Sequence, residues 1–318
     1  MTTFEVLTMG RCSVDVYPHQ VGVGLEDVES FGKYLGGSPT NVAVAAARHG
    51  RHSAVITRTG DDPFGRFVRR AIADFGVDPR FVTRVTDLPT PVAFCEIFPP
   101  DDFPLYFYRR PSAPDLQIRG DELDLDAVRE ADIFWVTVTG LSQEPSAEAT
   151  LTALRARGRR GITVVDLDYR PMFWDSPEQA TEIIAEALPY ATVAVGNREE
   201  CRVAVGEGDA SAAAAALHDR GVELAVVKQG PDGVLGSRAD EQTVSKPIRV
   251  DVVNGLGAGD AFGGALCHGL LADWPLQRLL DFANAAGAYV ATQLACADAM
   301  PDTSTVERLL AEHAQRAS

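Results

Sequence analysis

The chain has 318 residues, 46% of them hydrophobic, enough to bury a substantial core as one large domain or two ordinary ones; disorder is not its default state. Lys and Arg total 29 against 45 Asp and Glu, a formal net charge of -16, which argues against sequence-independent binding to nucleic acid or an anionic membrane, both of which reward a basic surface. An anionic substrate must therefore be met by a local cluster of donors.

The N-terminal MTTFEVLTMGR has no basic region followed by an apolar signal core, and no run reaches the roughly 18 to 20 apolar residues of a membrane span, so a cytoplasmic protein is expected. Cys12, Cys95, Cys201, Cys267 and Cys296 form no CxxC pair and fit reduced cytosolic thiols. The six histidines show no spacing that suggests a metal site or a nucleophilic triad.

In chain order, the short apolar run FEVLTMG opens the sequence and predicts a strand. Residues 11–35 then read as strands and hairpins rather than as a β-α-β unit. GGSPTNVAVAAARHG follows, predicting a helix over 39–49 capped by Ser38, with Pro39 in its first turn and Gly50 at its end. SAVITRTG predicts a strand and 63–75 a helix closed by Gly76. Residues 89–118, with TPVAFCEIF and FPLYFYRR around the turn-rich PPDDFP, again break the rhythm. IFWVTV, GITVVDLD, ATVAVG and ELAVVKQG resume strand–helix alternation, with an Ala-rich helix at 210–217. The expected architecture is a three-layer α/β/α domain over 1–318, with a mostly parallel central sheet and a small β lid from segments 11–35 and 89–118.

Two segments carry chemistry. In GAGDAFGGALCHGLLADW the apolar residues share one helical face, so Gly257, Ala258 and Gly259 lie at a helix N-terminus, where free N–H groups and the positive dipole end can hold an anion. Asp260 would point a carboxylate into the same space; taken alone, a glycine turn with an acid that merely favours the dipole is an equal reading. In GGSPTN, Gly36 and Gly37 allow close approach of a ligand and Asn41 offers both a donor and an acceptor.

Together, GGSPTNVAVAAARHG at 36–50 and DVVNGLGAGDAFGGALCHGL at 251–270 resemble the two signature regions of the PfkB, or ribokinase-like, carbohydrate kinases. Asp15 in GRCSVDVY, Arg170 in DLDYRPMFW, Asn197 and Glu200 in GNREE, KQGPDG at 228–233 and FANAAGAYVAT at 282–292 follow in the family's order, so the likeness covers essentially the whole chain. The insertion of VVNGL between Asp251 and Gly257 resembles the branch that phosphorylates 5-dehydro-2-deoxy-D-gluconate in inositol catabolism, and it puts a monovalent-cation site beside this loop in doubt.

The resemblance implies Asp260 as the base, with an anion hole from Gly257, Ala258 and Gly259. It also implies Asp15, Gly36, Gly37, Asn41, Arg109 and Arg170 around the sugar, and Asn197, Lys228, Gly230, Gly233, Gly257, Gly259 and Asn284 around the nucleotide. Glu200 would order Mg²⁺ through water. ATP and Mg²⁺ are the implied cofactors, K⁺ an optional one; a homodimer through the lid strands is implied too. Arg109 is the expected receiver of a substrate carboxylate, and Tyr106, Phe107 and Tyr108 would cover the sugar or merely pack on their partner strand. The alternatives are a 2-keto-3-deoxygluconate kinase or fructokinase and, more distantly, a non-catalytic sugar-binding regulator. A dinucleotide-dependent dehydrogenase would need GxGxxG after the first strand, where LTMGRC stands instead.

Overall fold

In the computed structural model, which describes residues 3–239 and 241–317, the apolar runs become strands of one large sheet. The strands in chain order are β1 (Val6–Met9), β2 (Ser13–Pro18), β3 (Phe31–Gly36), β4 (Ser53–Gly60), β5 (Val82–Val85), β6 (Val92–Cys95) and β7 (Leu105–Tyr108). They continue as β8 (Ile133–Thr137), β9 (Ile162–Asp166), β10 (Val193–Asn197), β11 (Leu224–Lys228), β12 (Val234–Arg238) and β13 (Glu241–Ser245). The large sheet runs β13-β12-β11-β10-β9-β8-β1-β4-β5, parallel from β11 to β5 and antiparallel through the β12–β13 hairpin at its edge. Its inner strands, β1, β4 and β8 to β11, are buried on both faces along nearly their whole length, as parallel strands covered by helices must be, whereas the edge strands β5 and β13 are largely exposed.

Strand periodicity sorts the core into two layers. Ile133 and Trp135 of β8 face the helices Ser38–Arg48, Ala258–Leu271 and Leu276–Ala291, whereas Phe134 and Val136 face Ser146–Arg157 and its neighbours. Strand order reverses beside β1: the chain goes outward through β4 and β5, then returns on the other side through β8. Such a reversal leaves a crevice at the carboxyl ends of the strands.

A second, four-stranded sheet, β3-β2-β6-β7, stands over that crevice. β2 pairs antiparallel with β3 and parallel with β6, and β6 pairs antiparallel with β7. Tyr17, Cys95 and Ile97 form a small separate core under it with Cys296, while Tyr106 and Tyr108 are exposed on β7. No helix among the described residues is long and apolar enough to cross a membrane.

One local expectation is corrected. Gly37, at φ 102°, is the residue that caps the first helix, and Ser38 is its first helical residue. A side-chain cap is therefore not made there, which releases the Ser38 hydroxyl for the crevice.

Candidate active site

The Ala258–Leu271 helix begins at Gly257, whose φ of 82° is left-handed and whose Cβ, if it had one, would fall 2.7 Å from the Cys296 Sγ. Only glycine takes both constraints without strain. About two turns on, Gly264 packs so tightly that a Cβ there would stand 2.2 Å from that of Ala45. This close crossing of the two signature helices brings their N-termini together: Asn41 Nδ2 donates to Asp260 Oδ2 over 2.8 Å. Thr8 Oγ1 of β1, donating to the Pro39 carbonyl, and Thr40 Oγ1, donating to that of Arg11, tie the same helix start to the end of β1.

Asp260 stands between two cavities. A small pocket of about 150 Å³ under the second sheet is bounded by Asp15, Gly37, Asn41, Phe107, Arg170 and Asp260, among others. A cleft of about 510 Å³ on the other side is bounded by Lys228, Gly230, Gly233, Val250, Phe262 and Asn284, among others. Gly259 borders both, so the helix N-terminus is the partition between them. Burial pushes the Asp260 carboxyl up from its ordinary pKa, while hydrogen bonds from Asn41 and Ser38 pull the other way.

In the pocket, Asp15 is buried and accepts from Ser13 Oγ and Tyr17 Oη, each at 2.8 Å; burial still raises its pKa. Gly36, opposite Ser13 in the β2–β3 ladder, has no side chain because Asp15 fills the space. The Asn41 Oδ1 is buried with no partner among the described residues, an acceptor aimed into the crevice. In the cleft, Gly230 and Gly233 bracket the β11–β12 turn, and Asn284 Nδ2 donates to the Lys246 carbonyl over 2.7 Å.

Charges converge at the ends of β9, β10 and β11, where Lys228 borders the cleft. Lys228 is half-buried, and no hydrogen bond or ion pair holds its Nζ among the described residues. Burial alone would lower its pKa, but Glu200, Asp166, Asp168 and Asp260 outweigh this and raise it. Asp166 is pushed up to about 8, chiefly by burial and then by repulsion from Asp168, Glu200 and Asp260. Asp168 stays low despite burial because Arg170 and Arg11 flank it.

Several anticipated residues sit differently from their expected places. Arg109 donates to both oxygens of Asp115, at 3.2 and 2.7 Å, and this buried pair faces a neighbouring cavity with Phe173 rather than the pocket of Asp260. Its charge is already matched, so the expectation that it receives a substrate carboxylate is corrected. Asn197 and Glu200 form a reciprocal capping box on the Arg198–Val205 helix, Glu200 Oε2 accepting from the Asn197 N–H at 2.6 Å. Neither Asn197 nor Glu200 is among the residues bounding the cleft, and the Asn197 side-chain oxygen is occupied by the Glu200 N–H at 2.9 Å. Arg11, Tyr17, Asp166, Asp168 and Cys296 were not anticipated as site residues. For Asp166 and Asp168 the signal was present, two acids at a strand end in the DLDYR segment; for Tyr17 and Cys296, far apart in sequence, there was none.

A base on a helix N-terminus, an anion-binding partition and a cleft with an unpaired lysine beside a hydroxyl-binding pocket define a phosphotransferase of the sugar-kinase type. Comparison with known proteins makes this particular. Residues 3–303 match the model described as pfkB family carbohydrate kinase, and the chain belongs to that family. It is 32% identical over 316 residues to a protein of Geobacillus kaustophilus (strain HTA426) named 5-dehydro-2-deoxygluconokinase, covering 97% of this chain and 94% of that one. A protein of the same name from Listeria monocytogenes is 29% identical over 314 residues, 97% of this chain and 96% of the other. Among solved structures, the Xylella fastidiosa fructokinase with bound ATP superposes with a TM-score of 0.85 at 25% identity, over 98% of this chain and 99% of the other. The fold is ribokinase-like and the protein is an ATP-dependent carbohydrate kinase.

Proposed function

We propose that this kinase transfers the γ-phosphoryl group of MgATP to the terminal hydroxyl of 5-dehydro-2-deoxy-D-gluconate. The observation that carries the chemistry is Asp260, placed at the partition between pocket and cleft and held by Asn41. The substrate assignment is supported by the names of the relatives that match along nearly the whole chain.

In this reading the sugar lies in the pocket, its hydroxyls against Asp15 and the free Asn41 Oδ1. Asp260, ionised, accepts the proton of the terminal hydroxyl as its oxygen bonds to the γ-phosphorus; the bond from that phosphorus to the β-phosphate oxygen breaks, and ADP leaves. The N–H groups of Gly257, Ala258 and Gly259 receive charge on the transferring group. Lys228, unpaired and facing the cleft, meets the phosphates, and the apolar walls at Val250 and Phe262 take the base of the nucleotide. Glu200 and Asp166, acids near enough for the charge of one to raise the pKa of the other, would hold a magnesium ion through its waters. When bound, the ion supplies neutralisation of phosphate charge. Phe107 roofs the pocket and, with its sheet, closes on the sugar to exclude water.

A fructokinase is the second reading, favoured by the solved neighbours of that name. The deciding experiment measures kcat/KM side by side for 5-dehydro-2-deoxygluconate, 2-keto-3-deoxygluconate and fructose. Highest efficiency on the first is expected; preference for fructose would overturn the substrate assignment and leave the kinase intact.

A further inference from the structure

With Arg109 matched by Asp115, an acid substrate needs another receiver. Arg11 follows the end of β1, at the point where strand order reverses, and borders the same pocket as Asp260. It is 8% exposed, yet among the described residues its guanidinium is held by a single long hydrogen bond, Nη2 to Asp168 Oδ2 at 3.3 Å. Its Nε is buried without a partner, and its Nη1 makes no hydrogen bond among the described residues. The Phe107 ring of β7 lies 5.8 Å from its guanidinium carbon and covers it from the lid side. A buried fork with most of its donors unspent is costly unless an acceptor arrives, and a planar carboxylate is the group whose two oxygens fit it.

The second pocket arginine is placed for a different task. Arg170 also has a buried Nε without a partner among the described residues, but it contacts the other oxygen of Asp168 at 2.8 Å, is more exposed, and feels Glu200 and Asp166 as well as Asp260. The Asp168 carboxylate is thus shared by two guanidinium groups, leaving cationic character on both sides of it. On the sugar side the facing acids are Asp15, already bonded by Ser13 and Tyr17, and Asp260, bonded by Asn41.

We infer that Arg11 receives the carboxylate of the substrate and thereby sets the preference for an acid over a neutral sugar. This rests on the acid-substrate reading. The substrate is oriented by its two ends, the terminal hydroxyl at Asp260 and the carboxylate at Arg11, with Asp168 as the positioning residue that aims the fork and Phe107 shielding the pair from water.

The test compares wild type, Arg11→Met, Arg11→Lys and Arg170→Met on 5-dehydro-2-deoxygluconate and on fructose, with thermal melting and ATP binding as controls on folding. Arg11→Met is expected to lower kcat/KM for the acid about ten- to a hundredfold, mostly through KM, and to change the fructose value less than threefold; a hydrogen bond to a charged group is of that size. Arg11→Lys keeps the charge without the fork and should fall between; it carries the test if the Met variant does not fold. Arg170→Met should lower kcat on both substrates alike. If wild type does not prefer the acid, the acid-substrate reading fails. If it does, but both Arg11 variants lose acid and fructose activity in the same proportion, or keep the preference intact, the assignment of Arg11 is wrong while that reading stands.

Discussion

The two walls of the pocket are built on different principles. The wall carrying Asp260 is main chain and helix end, fixed by the parallel sheet beneath and by two helices crossing at Gly264 with no room for adjustment. The opposite wall, from β2, β6 and β7, is side chains bonded to side chains: Asp15 with Ser13 and Tyr17, Tyr17 in turn with Cys296 at 2.8 Å, and Arg109 with Asp115 just outside. Charge developing in a transition state is best met by groups that need not reorganise, which suits the first wall to chemistry. A second wall of paired side chains can be altered residue by residue without disturbing the first, which suits it to selection of the sugar.

This contrast can be broken most directly at Asp260. Asp260→Asn should keep its melting temperature and ATP affinity and lose on the order of 10² to 10⁴ in kcat, the usual contribution of a positioned base. Turnover within tenfold of wild type would move the base elsewhere. Next in size is Gly257→Ala, where a Cβ meets Cys296 and the left-handed φ is strained. One misaligned anion-hole donor costs on the order of 10² in kcat. Cys296→Ala in that background should restore only part of the loss, since the strain in φ remains; full recovery would reduce Gly257 to a packing role.

Arg109→Ala sharpens the comparison from the other side. Removing one partner of a buried ion pair costs about 3–5 kcal/mol, so chemical denaturation should detect a large loss of stability. The ratio of acid to fructose kcat/KM should stay within threefold of wild type, and a selective loss on the acid would return Arg109 to the pocket. The smallest effect expected is in pH dependence. Asp260 must be ionised to accept a proton, and burial raises its pKa, so activity should fall as pH drops through a limb lying above the ordinary carboxylate range. A limb at or below that range, measured on kcat/KM, would mean that another group sets it.

The helix-end wall was legible in the sequence because its parts are local: glycines, an acid and an apolar helical face within a dozen residues predict a helix N-terminus with a carboxylate beside it. The parallel strands were legible for the same reason, as short apolar runs with helices between. The side-chain wall was not, because its pairings span distance. Arg109 reads as a free cation until Asp115 is found folded against it, and Arg11 reads as a residue after a strand until β8 and β9 bring Asp168 to it from 157 positions away. The β12–β13 hairpin escaped as well, since its outer strand EQTVS is mostly exposed and lacks an apolar run.

The central claim is that the proton leaves a terminal sugar hydroxyl for Asp260 while the γ-phosphoryl group crosses the partition at Gly259. It is tested by phosphorus and carbon NMR of the product formed from ATP and 5-dehydro-2-deoxygluconate. One ADP per sugar consumed is expected, with phosphorus coupling confined to the terminal carbon and its neighbour. Release of ADP and inorganic phosphate with the sugar unchanged, or an ester on an interior hydroxyl, would contradict it.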